Sequence, residues 1–407
     1  MSYPKKLFFS VLLVPVLISG VQAQNKLNIY GYFSTRLEKV WNEPGLDGGV
    51  TVKETPPSEW SFPYFNVMMQ YNISSKYRIF VNLSGADAST IDVRNFWGEY
   101  SASKYFTFRL GKSYRKFGLY NEILDAVPTY YGIEPPELFD GDHLIVSQTT
   151  VLMVYGGVDA GQGTLNYSLA TDDGEGGPIK DVIPVGWDLN YKFGRGDFTL
   201  GTSGYYSGGA TTSDVALGEG SPRTGVLPWM AGDEFTILGG YAEARFNRLL
   251  LQGEYWFSSH SATRDPANVV AMVNGANPNS AQLARFLVNP NGAVDEANVA
   301  QVGDYDVKTW YIRAGYSFES NIGEVAPYVQ WDWYSNPETI QEKDFGGDNE
   351  AGLADDGKFN KATVGIVFRP VPEVAIKLDG STHIQKFNGK TESYPEIRLD
   401  FSFLFGQ

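Results

Sequence analysis

Apolar and polar residues alternate along most of the chain, which is the pattern of β-strands whose two faces meet different surroundings. In the segment 27–37, Leu27 and Ile29 alternate with Asn28 and Tyr30. Alternation over about ten residues is typical of strands that face lipid on one side and a polar lumen on the other. A single alternating segment decides little, whereas its repetition along the whole chain predicts a barrel.

Sixteen segments carry this alternation. We predict strands near residues 27–37, 63–73, 76–85, 92–101, 104–112, 148–158, 163–172, 183–193, 197–207, 234–246, 248–258, 306–318, 324–335, 359–369, 373–384 and 394–405. The predicted fold class is all-β, a transmembrane antiparallel β-barrel of about 16 strands with short periplasmic turns and long external loops.

The connections between the predicted strands alternate in length. The short ones are 74–75, 101–103, 159–161, 194–196, Asn247, 321–322 and 370–372. The long ones are 38–62, 113–147, 173–182, 208–233, 259–305, 336–358 and 385–393, and 86–91 is the shortest of this group. Outer-membrane barrels have short periplasmic turns and longer external loops. The loop lengths therefore support a barrel independently of the strand pattern.

The first 23 residues have the features of a secretory signal peptide. Lys5 and Lys6 precede the apolar run 7–18, and Ala23 provides a small residue before a cleavage point. We predict a signal peptide at 1–23 and a transmembrane β-barrel at 24–407, exported to the cell outer membrane. The chain has no cysteine, which excludes a lipid-anchored form and a disulfide scaffold.

Composition and charge narrow the function classes. Aromatic residues make up 14% of the chain and 45 residues are Gly, a mixture that fits aromatic girdles around a polar lumen. The formal net charge is −15, which argues against a nucleic-acid partner because such partners bind basic surfaces. The excess of acid lies mainly in predicted loops such as 336–358, where divalent-cation binding is left open.

The order of strands and loops over 24–407 resembles the sixteen-stranded porins of the Gram-negative outer membrane. The segment 113–147 falls where porins fold an external loop into the channel as a constriction. The segment 109–122, RLGKSYRKFGLYNE, and the segments 241–245, YAEAR, and 250–255, LLQGEY, are similar to stretches of phosphate-selective-porin-type proteins. Membership of the porin superfamily would imply a homotrimer.

Alternation places more basic than acidic side chains in the lumen. The basic pore-wall candidates are Arg36, Arg78, Arg109, Arg245, Arg313, Lys377 and Arg398. The constriction-loop candidates are Arg115, Lys116, Glu122, Asp125, Glu134, Glu137, Asp140 and Asp142. Opposed charges across a narrow, wet gap create a transverse field that favours ions of one sign. The alternative is that these charges pair with each other or hold the loop in place.

The sequence therefore predicts a porin, a passive and water-filled diffusion channel for small hydrophilic solutes or ions, surrounded by outer-membrane lipid and lipopolysaccharide. A substrate-selective porin of the anion, phosphate or carboxylate type is an alternative, since Arg binds such groups bidentately. An outer-membrane barrel enzyme or adhesin is an alternative of another class. His143, His260 and His383 are the only histidines, and sequence neighbours fix no triad geometry, so we predict no enzyme activity, cofactor or metal.

Overall fold

The structure, a computed structural model of the chain, is a closed antiparallel β-barrel. It describes residues 26–47, 50–85, 90–123, 127–137, 148–172, 182–194, 197–208, 213, 215–219, 225–341 and 349–406. Within these ranges sixteen strands form one sheet, in which each strand pairs with its neighbours in chain order. The first strand also pairs with the last, so the sheet closes on itself and these strands have no free edge.

The strands are, in chain order, β1 (Leu27–Val40), β2 (Glu43–Asp47), β3 (Val50–Glu54), β4 (Glu59–Asn72), β5 (Tyr77–Gly85), β6 (Asp92–Ser101), β7 (Thr107–Tyr114), β8 (Gln148–Ala160), β9 (Gly163–Asp172), β10 (Val185–Phe193), β11 (Phe198–Tyr206), β12 (Met230–Phe246), β13 (Leu249–Arg264), β14 (Tyr305–Tyr316), β15 (Phe318–Ser320), β16 (Gly323–Ser335), β17 (Lys358–Val371), β18 (Val374–Phe387) and β19 (Lys390–Phe405). β2 and β3 form a separate hairpin. β14 and β15 are two parts of one barrel strand, because both pair with β16.

All sixteen predicted strands are present, and the predicted fold class is confirmed. Several strands run further than predicted at the ends that carry long loops. Among them, β4 begins at Glu59, β12 begins at Met230, β13 continues to Arg264 and β19 begins at Lys390. The alternation that predicts a strand needs lipid on one face. It is lost where both faces of a paired strand meet water or loops, so these extensions carry no sequence signal.

The two faces of the barrel wall have opposite polarity. On the outer face, Leu200, Leu238 and Val364 are 54%, 52% and 66% exposed. On the inner face, Asp332 is 1% exposed and Lys377 is 0% exposed. An apolar exterior around buried polar groups is the reverse of a soluble protein, and it matches a wall that faces lipid.

Three short α-helices lie in the long connections of the described chain. α1 (Pro266–Ala276) and α2 (Ser280–Phe286) follow β13, and α3 (Asn349–Leu353) precedes β17. Asp265 begins α1 by accepting a hydrogen bond from the backbone N–H of Asn268, which satisfies a helix-terminal donor. Among the described helices, none has the length and apolar character needed to cross a membrane.

One side of the barrel interior, next to β12–β14, is packed. The inward side chains of Phe235, Trp256 and Tyr311 form an apolar cluster with Val226 and Trp229 of the connection before β12. Val226 and Trp229 are both 0% exposed. Burial of such large side chains strongly favours this arrangement, so the connection before β12 folds inward.

A buried ion pair ties two long connections together beside this cluster. Arg264 at the end of β13 donates from Nε and Nη2 to the two carboxylate oxygens of Glu338, at 2.7 and 2.6 Å. The indole N–H of Trp229 donates to the same carboxylate at 3.2 Å. Paired Arg–carboxylate hydrogen bonds fix orientation as well as distance, so the connection after β16 is held against the packed side.

Candidate functional site

The connection after β7 runs through the barrel interior. The backbone N–H groups of Gly118 and Leu119 donate to Ser203 Oγ at 3.1 Å and to Glu254 Oε1 at 3.2 Å. Ser203 and Glu254 lie on β11 and β13, far around the barrel from β7. The first part of the loop therefore spans the interior and ends against a distant part of the wall.

The second part of the loop is held by inward side chains of β18. The backbone N–H of Ile133 donates to Asp379 Oδ2 at 2.8 Å, and Lys377 Nζ donates to the carbonyl of Gly132 at 2.7 Å. Lys377 is a predicted pore-wall residue, and it is 0% exposed. It contacts loop backbone and presents no surface to a passing solute.

Glu137, another predicted loop residue, is fastened at both its backbone and its side chain. Its N–H donates to Asp332 Oδ1 of β16 at 3.3 Å, and its carboxylate accepts from Lys361 Nζ of β17 at 2.5 Å. Glu137 is 5% exposed. These contacts attach the loop to two more strands.

Glu134 is the charged centre of the loop. Its carboxylate accepts hydrogen bonds from Arg36 Nη1 at 2.9 Å, from Lys361 Nζ at 3.4 Å and from Arg398. Burial opposes ionisation, yet the positive charges of Arg398, Lys361 and Arg36 hold the pKa of Glu134 well below its ordinary value. The carboxylate therefore stays charged and joins the loop to β1, β17 and β19.

A second charge cluster lies on the wall of β5–β7. Glu99, which is 5% exposed, accepts hydrogen bonds from Arg78 and, at 3.0 Å, from Arg109 Nη2. Arg109 also lies 3.8 Å from Glu122 of the loop, which pairs with Lys116 at 2.7 Å. Three bases and two acids leave the cluster with an excess of positive charge.

The other described candidates occupy different surroundings. Arg115 pairs with Asp172 at 2.7 Å, and both side chains are buried. Arg313 is 2% exposed on the inner wall. The side chain of Arg245 is 57% exposed and lies 2.8 Å from Glu243. Arg313 Nη2 lies beside Gly132 of the loop, two residues before Glu134.

Three acidic residues of the predicted constriction belong to segments that the structure does not describe. Asp125, Asp140 and Asp142 lie outside the described residues, and so does His143. Residues 173–175 and 344–348, from the acidic segments, also lie outside them. Within the described ranges, no three His, Cys, Asp or Glu side chains are grouped so that they could hold a metal ion.

The basic wall and the acidic loop meet in direct ion pairs. Arg36 and Arg398 both contact Glu134, so much of their charge is compensated at short range. The side chain of Arg78, by contrast, is 38% exposed. Among the predicted wall residues, Arg36 and Arg398 thus contact the loop, whereas Arg78 pairs with Glu99 of the wall and keeps a partly exposed side chain.

A hydrogen-bonded row of Ser258, His260 and Asp233 lies on the inner face at the loop ends of β12 and β13. Ser258 Oγ is 2.7 Å from His260 Nε2, and His260 Nδ1 is 2.9 Å from Asp233 Oδ2. This connectivity matches a hydrolase triad. The imidazole is nevertheless stacked between Phe235 and Tyr305, and the side chains of His260 and Asp233 are 0% exposed. The row is shielded from solvent.

Sequence reasoning missed the aromatic side chains of the inner wall. Phe80 and Trp97 are paired across β5 and β6, with ring centroids 5.1 Å apart and ring planes at 18°. Strand parity contained the signal: Phe80 is two residues from Arg78, and Trp97 is two residues from Glu99. Because side chains two apart share a face of a strand, both rings point into the lumen.

A closed barrel with an apolar exterior, a charged interior and an inward loop defines the class as a transmembrane β-barrel of the outer-membrane type. Three solved structures share this fold. The anion-selective porin from Comamonas acidovorans has a TM-score of 0.57 and 12% sequence identity, and the match covers 93% of this chain and 99% of that chain. The outer membrane channel DcaP of Acinetobacter baumannii has a TM-score of 0.54 and 10% identity over 93% of this chain and 97% of that chain, and a trimer form of OmpT, an outer membrane protein of Vibrio cholerae, has a TM-score of 0.52 and 10% identity over 93% of this chain and 99% of that chain.

The chain thus has the fold of the Gram-negative outer-membrane porins, and the resemblance expected from its strand and loop order is confirmed. At these identities the likeness concerns the fold. No protein-family model matches the sequence, and no curated protein matches it either.

Proposed function

We propose that the chain is an outer-membrane porin, a passive and water-filled diffusion channel for small hydrophilic solutes or ions. The observation that carries the proposal is the inner loop, which Glu134 joins to Arg36, Lys361 and Arg398 on three separate strands. A loop fixed inside a wide barrel narrows it to a passage of defined size. Residues 1–23 act in this proposal as the signal peptide, and 24–407 form the barrel.

The space beside the loop supports passage of hydrated solutes. A cavity of about 670 Å³ lies between the loop and β8–β12. Its lining includes Lys116, Glu122, Asp188, Asn190 and Lys192. Charged and amide side chains replace part of the hydration shell of a polar solute, so this cavity is suited to water and ions.

Planar-bilayer recording of the purified full chain tests the channel proposal. We expect steady single-channel currents that are linear in voltage. Liposome swelling with sugars of increasing size then measures the size limit that the loop imposes. If circular dichroism shows that the protein has the β-sheet content of the folded barrel, absence of current at any voltage would contradict the proposal.

A second candidate is a porin selective for anions, including carboxylates. It is supported by the exposed Arg78 and by the excess of bases in its cluster with Arg109, Lys116, Glu99 and Glu122. Reversal potentials across a potassium chloride gradient test this candidate. A preference for chloride that declines in Arg78→Gln supports it, and equal selectivity in both proteins argues for a general channel.

We infer a homotrimer in contact with outer-membrane lipid and lipopolysaccharide. The trimer form of the similar OmpT structure supports the assembly, and the exposed outer positions such as Leu238 and Val364 support a lipid boundary. Light scattering of the detergent-solubilised protein distinguishes one copy from three.

We propose no enzymatic role for the Ser258, His260 and Asp233 row, because its members are buried and the imidazole of His260 is stacked between two rings. The row instead joins β12 to β13. A fluorophosphonate probe should leave Ser258 unlabelled. Labelling that disappears in Ser258→Ala would support the barrel-enzyme alternative.

A further inference from the structure

We propose that the inner wall formed by β5–β7 binds planar aromatic carboxylates during their passage through the pore. The site consists of Phe80, Trp97, Arg78 and Arg109, and is called the Trp97 platform below. This inference rests on the proposed channel function and deepens it by naming a class of solute.

Both rings of the platform are directed into the lumen. On β5, Ile79 is 43% exposed on the outer face, and on β6, Phe96 is 50% exposed there. Neighbouring side chains of a strand point to opposite faces, so Phe80 and Trp97 face inward. Both are half-buried, and their remaining surface is accessible from the interior.

The two rings stack on each other, so each covers part of one face of the other, and both keep apolar surface that is not covered. Their centroids are 5.1 Å apart and their planes differ by 18°. Apolar surface exposed to lumen water is unfavourable. A planar ring laid on this surface removes it from water and adds ring–ring attraction, whereas a small hydrated ion gains neither.

Two guanidinium groups lie over the Trp97 ring. The Cζ atoms of Arg109 and Arg78 lie 4.2 and 5.4 Å from the centroid of the Trp97 ring. Glu99 contacts both arginines and compensates one of the two charges. The remaining charge suits a carboxylate, and the 38% exposed side chain of Arg78 is positioned to receive it.

Aromatic side chains elsewhere in the interior serve a different purpose. Phe117 of the loop and Trp256 of β13 also stack, with centroids 4.2 Å apart, but they are 5% and 1% exposed. Almost none of their surface is accessible to a solute, so their role is packing. The platform combines stacked rings, accessible surface and adjacent positive charge, and this combination fits a solute with a flat ring and an anionic group.

Permeability ratios in planar bilayers test the proposal. Reversal potentials are measured with potassium benzoate, potassium cyclohexanecarboxylate and potassium acetate against chloride. We expect benzoate to exceed both other anions in permeability relative to its mobility in free solution. Stacking of this kind corresponds to a preference of about fivefold. Cyclohexanecarboxylate has a similar size without a flat ring, so it separates stacking from bulk.

Trp97→Leu should remove most of the benzoate preference while leaving the chloride conductance similar. Phe80→Leu should also reduce the benzoate preference, and it replaces Trp97→Leu in the experiment if that variant does not insert into the bilayer. Arg78→Gln should lower the permeability of benzoate and acetate alike. The matched control is Phe96→Leu, which changes the adjacent residue on the lipid side and should have no effect.

A benzoate to acetate ratio in the unaltered protein equal to the ratio of free mobilities would overturn the platform proposal. So would equal effects of Trp97→Leu and Phe96→Leu. Both results leave the channel itself intact. A protein that conducts no ion at all contradicts the channel proposal instead, so the two failures are distinguishable.

Discussion

Replacing Glu134 by Gln tests whether this side chain fastens the inner loop. The substitution keeps the shape and removes the charge that Arg36, Lys361 and Arg398 share. Hydrogen bonds to charged groups contribute about 1.5–3 kcal/mol each, and breaking a buried ion pair costs about 3–5 kcal/mol. Because the Glu134 side chain is 23% exposed, we expect a loss of about 3 kcal/mol in loop attachment, at the lower end of that range.

A loss of this size raises the population of the detached loop by about a hundredfold, since 1.4 kcal/mol corresponds to a factor of ten. In planar bilayers, Glu134→Gln should show frequent fluctuations to a higher conductance level. Its heat stability on unboiled gels should change little, because the strand hydrogen bonds that close the barrel are untouched.

Glu122→Gln is the matched control. Glu122 also lies on the loop and pairs with Lys116 and Arg109, but its side chain is 38% exposed. Exposed pairs contribute at most about 1 kcal/mol, so in this variant the current should fluctuate to the higher level no more often than in the unaltered channel. Equal current fluctuations in the two variants, or an unchanged Glu134→Gln channel, would refute the role assigned to Glu134.

Three further predictions concern pH, lipid contact and the buried histidine. The lowered pKa of Glu134 means that loop attachment is complete above the ordinary glutamate pKa and declines only as the pH falls toward the lowered value. If Glu134 controls the current fluctuations, they should therefore be equally frequent at about pH 7 and pH 5. Val364→Lys, on the outer face and 66% exposed, should lower the free energy of unfolding in lipid vesicles by about 2–4 kcal/mol, and Asn360→Lys near the strand end by about 1 kcal/mol or less. Equal losses in a urea titration would contradict a lipid-facing belt. His260→Asn should lower the same free energy by about 2 kcal/mol, because it breaks the contacts to Ser258 and Asp233, and an unchanged titration would show that the row does not stabilise the barrel.

The strands could be predicted because each carries its own signal. A wall between lipid and a polar interior imposes period two on every strand, as in 27–37, and this needs no knowledge of distant residues. The same parity predicts that Arg36, Lys377 and Arg398 face the lumen, and in the structure each of them contacts the inner loop. It also directs Phe80 and Trp97 inward, although their stacking is apparent only when β5 and β6 are paired.

The loops contact residues that are far away in the chain, so local sequence patterns cannot predict these contacts. Glu134 contacts Arg398, 264 residues further on, and the indole N–H of Trp229 donates to Glu338, 109 residues away. The residue types show whether these side chains are charged or apolar, and alternation along the strands shows which face of the barrel wall the strand residues occupy. Which acid meets which base is decided by the order of strands around the closed barrel.

From the sequence alone, the number of strands, the lipid-facing side of each and the positions of the long loops were determined, because two different solvents act on every strand. Only the tertiary structure decided that Glu134 joins three strands, that one side of the lumen is packed and that Ser258, His260 and Asp233 form a row. Those features are contacts between residues that are far apart in the chain, and such residues come close to each other only when the barrel has closed.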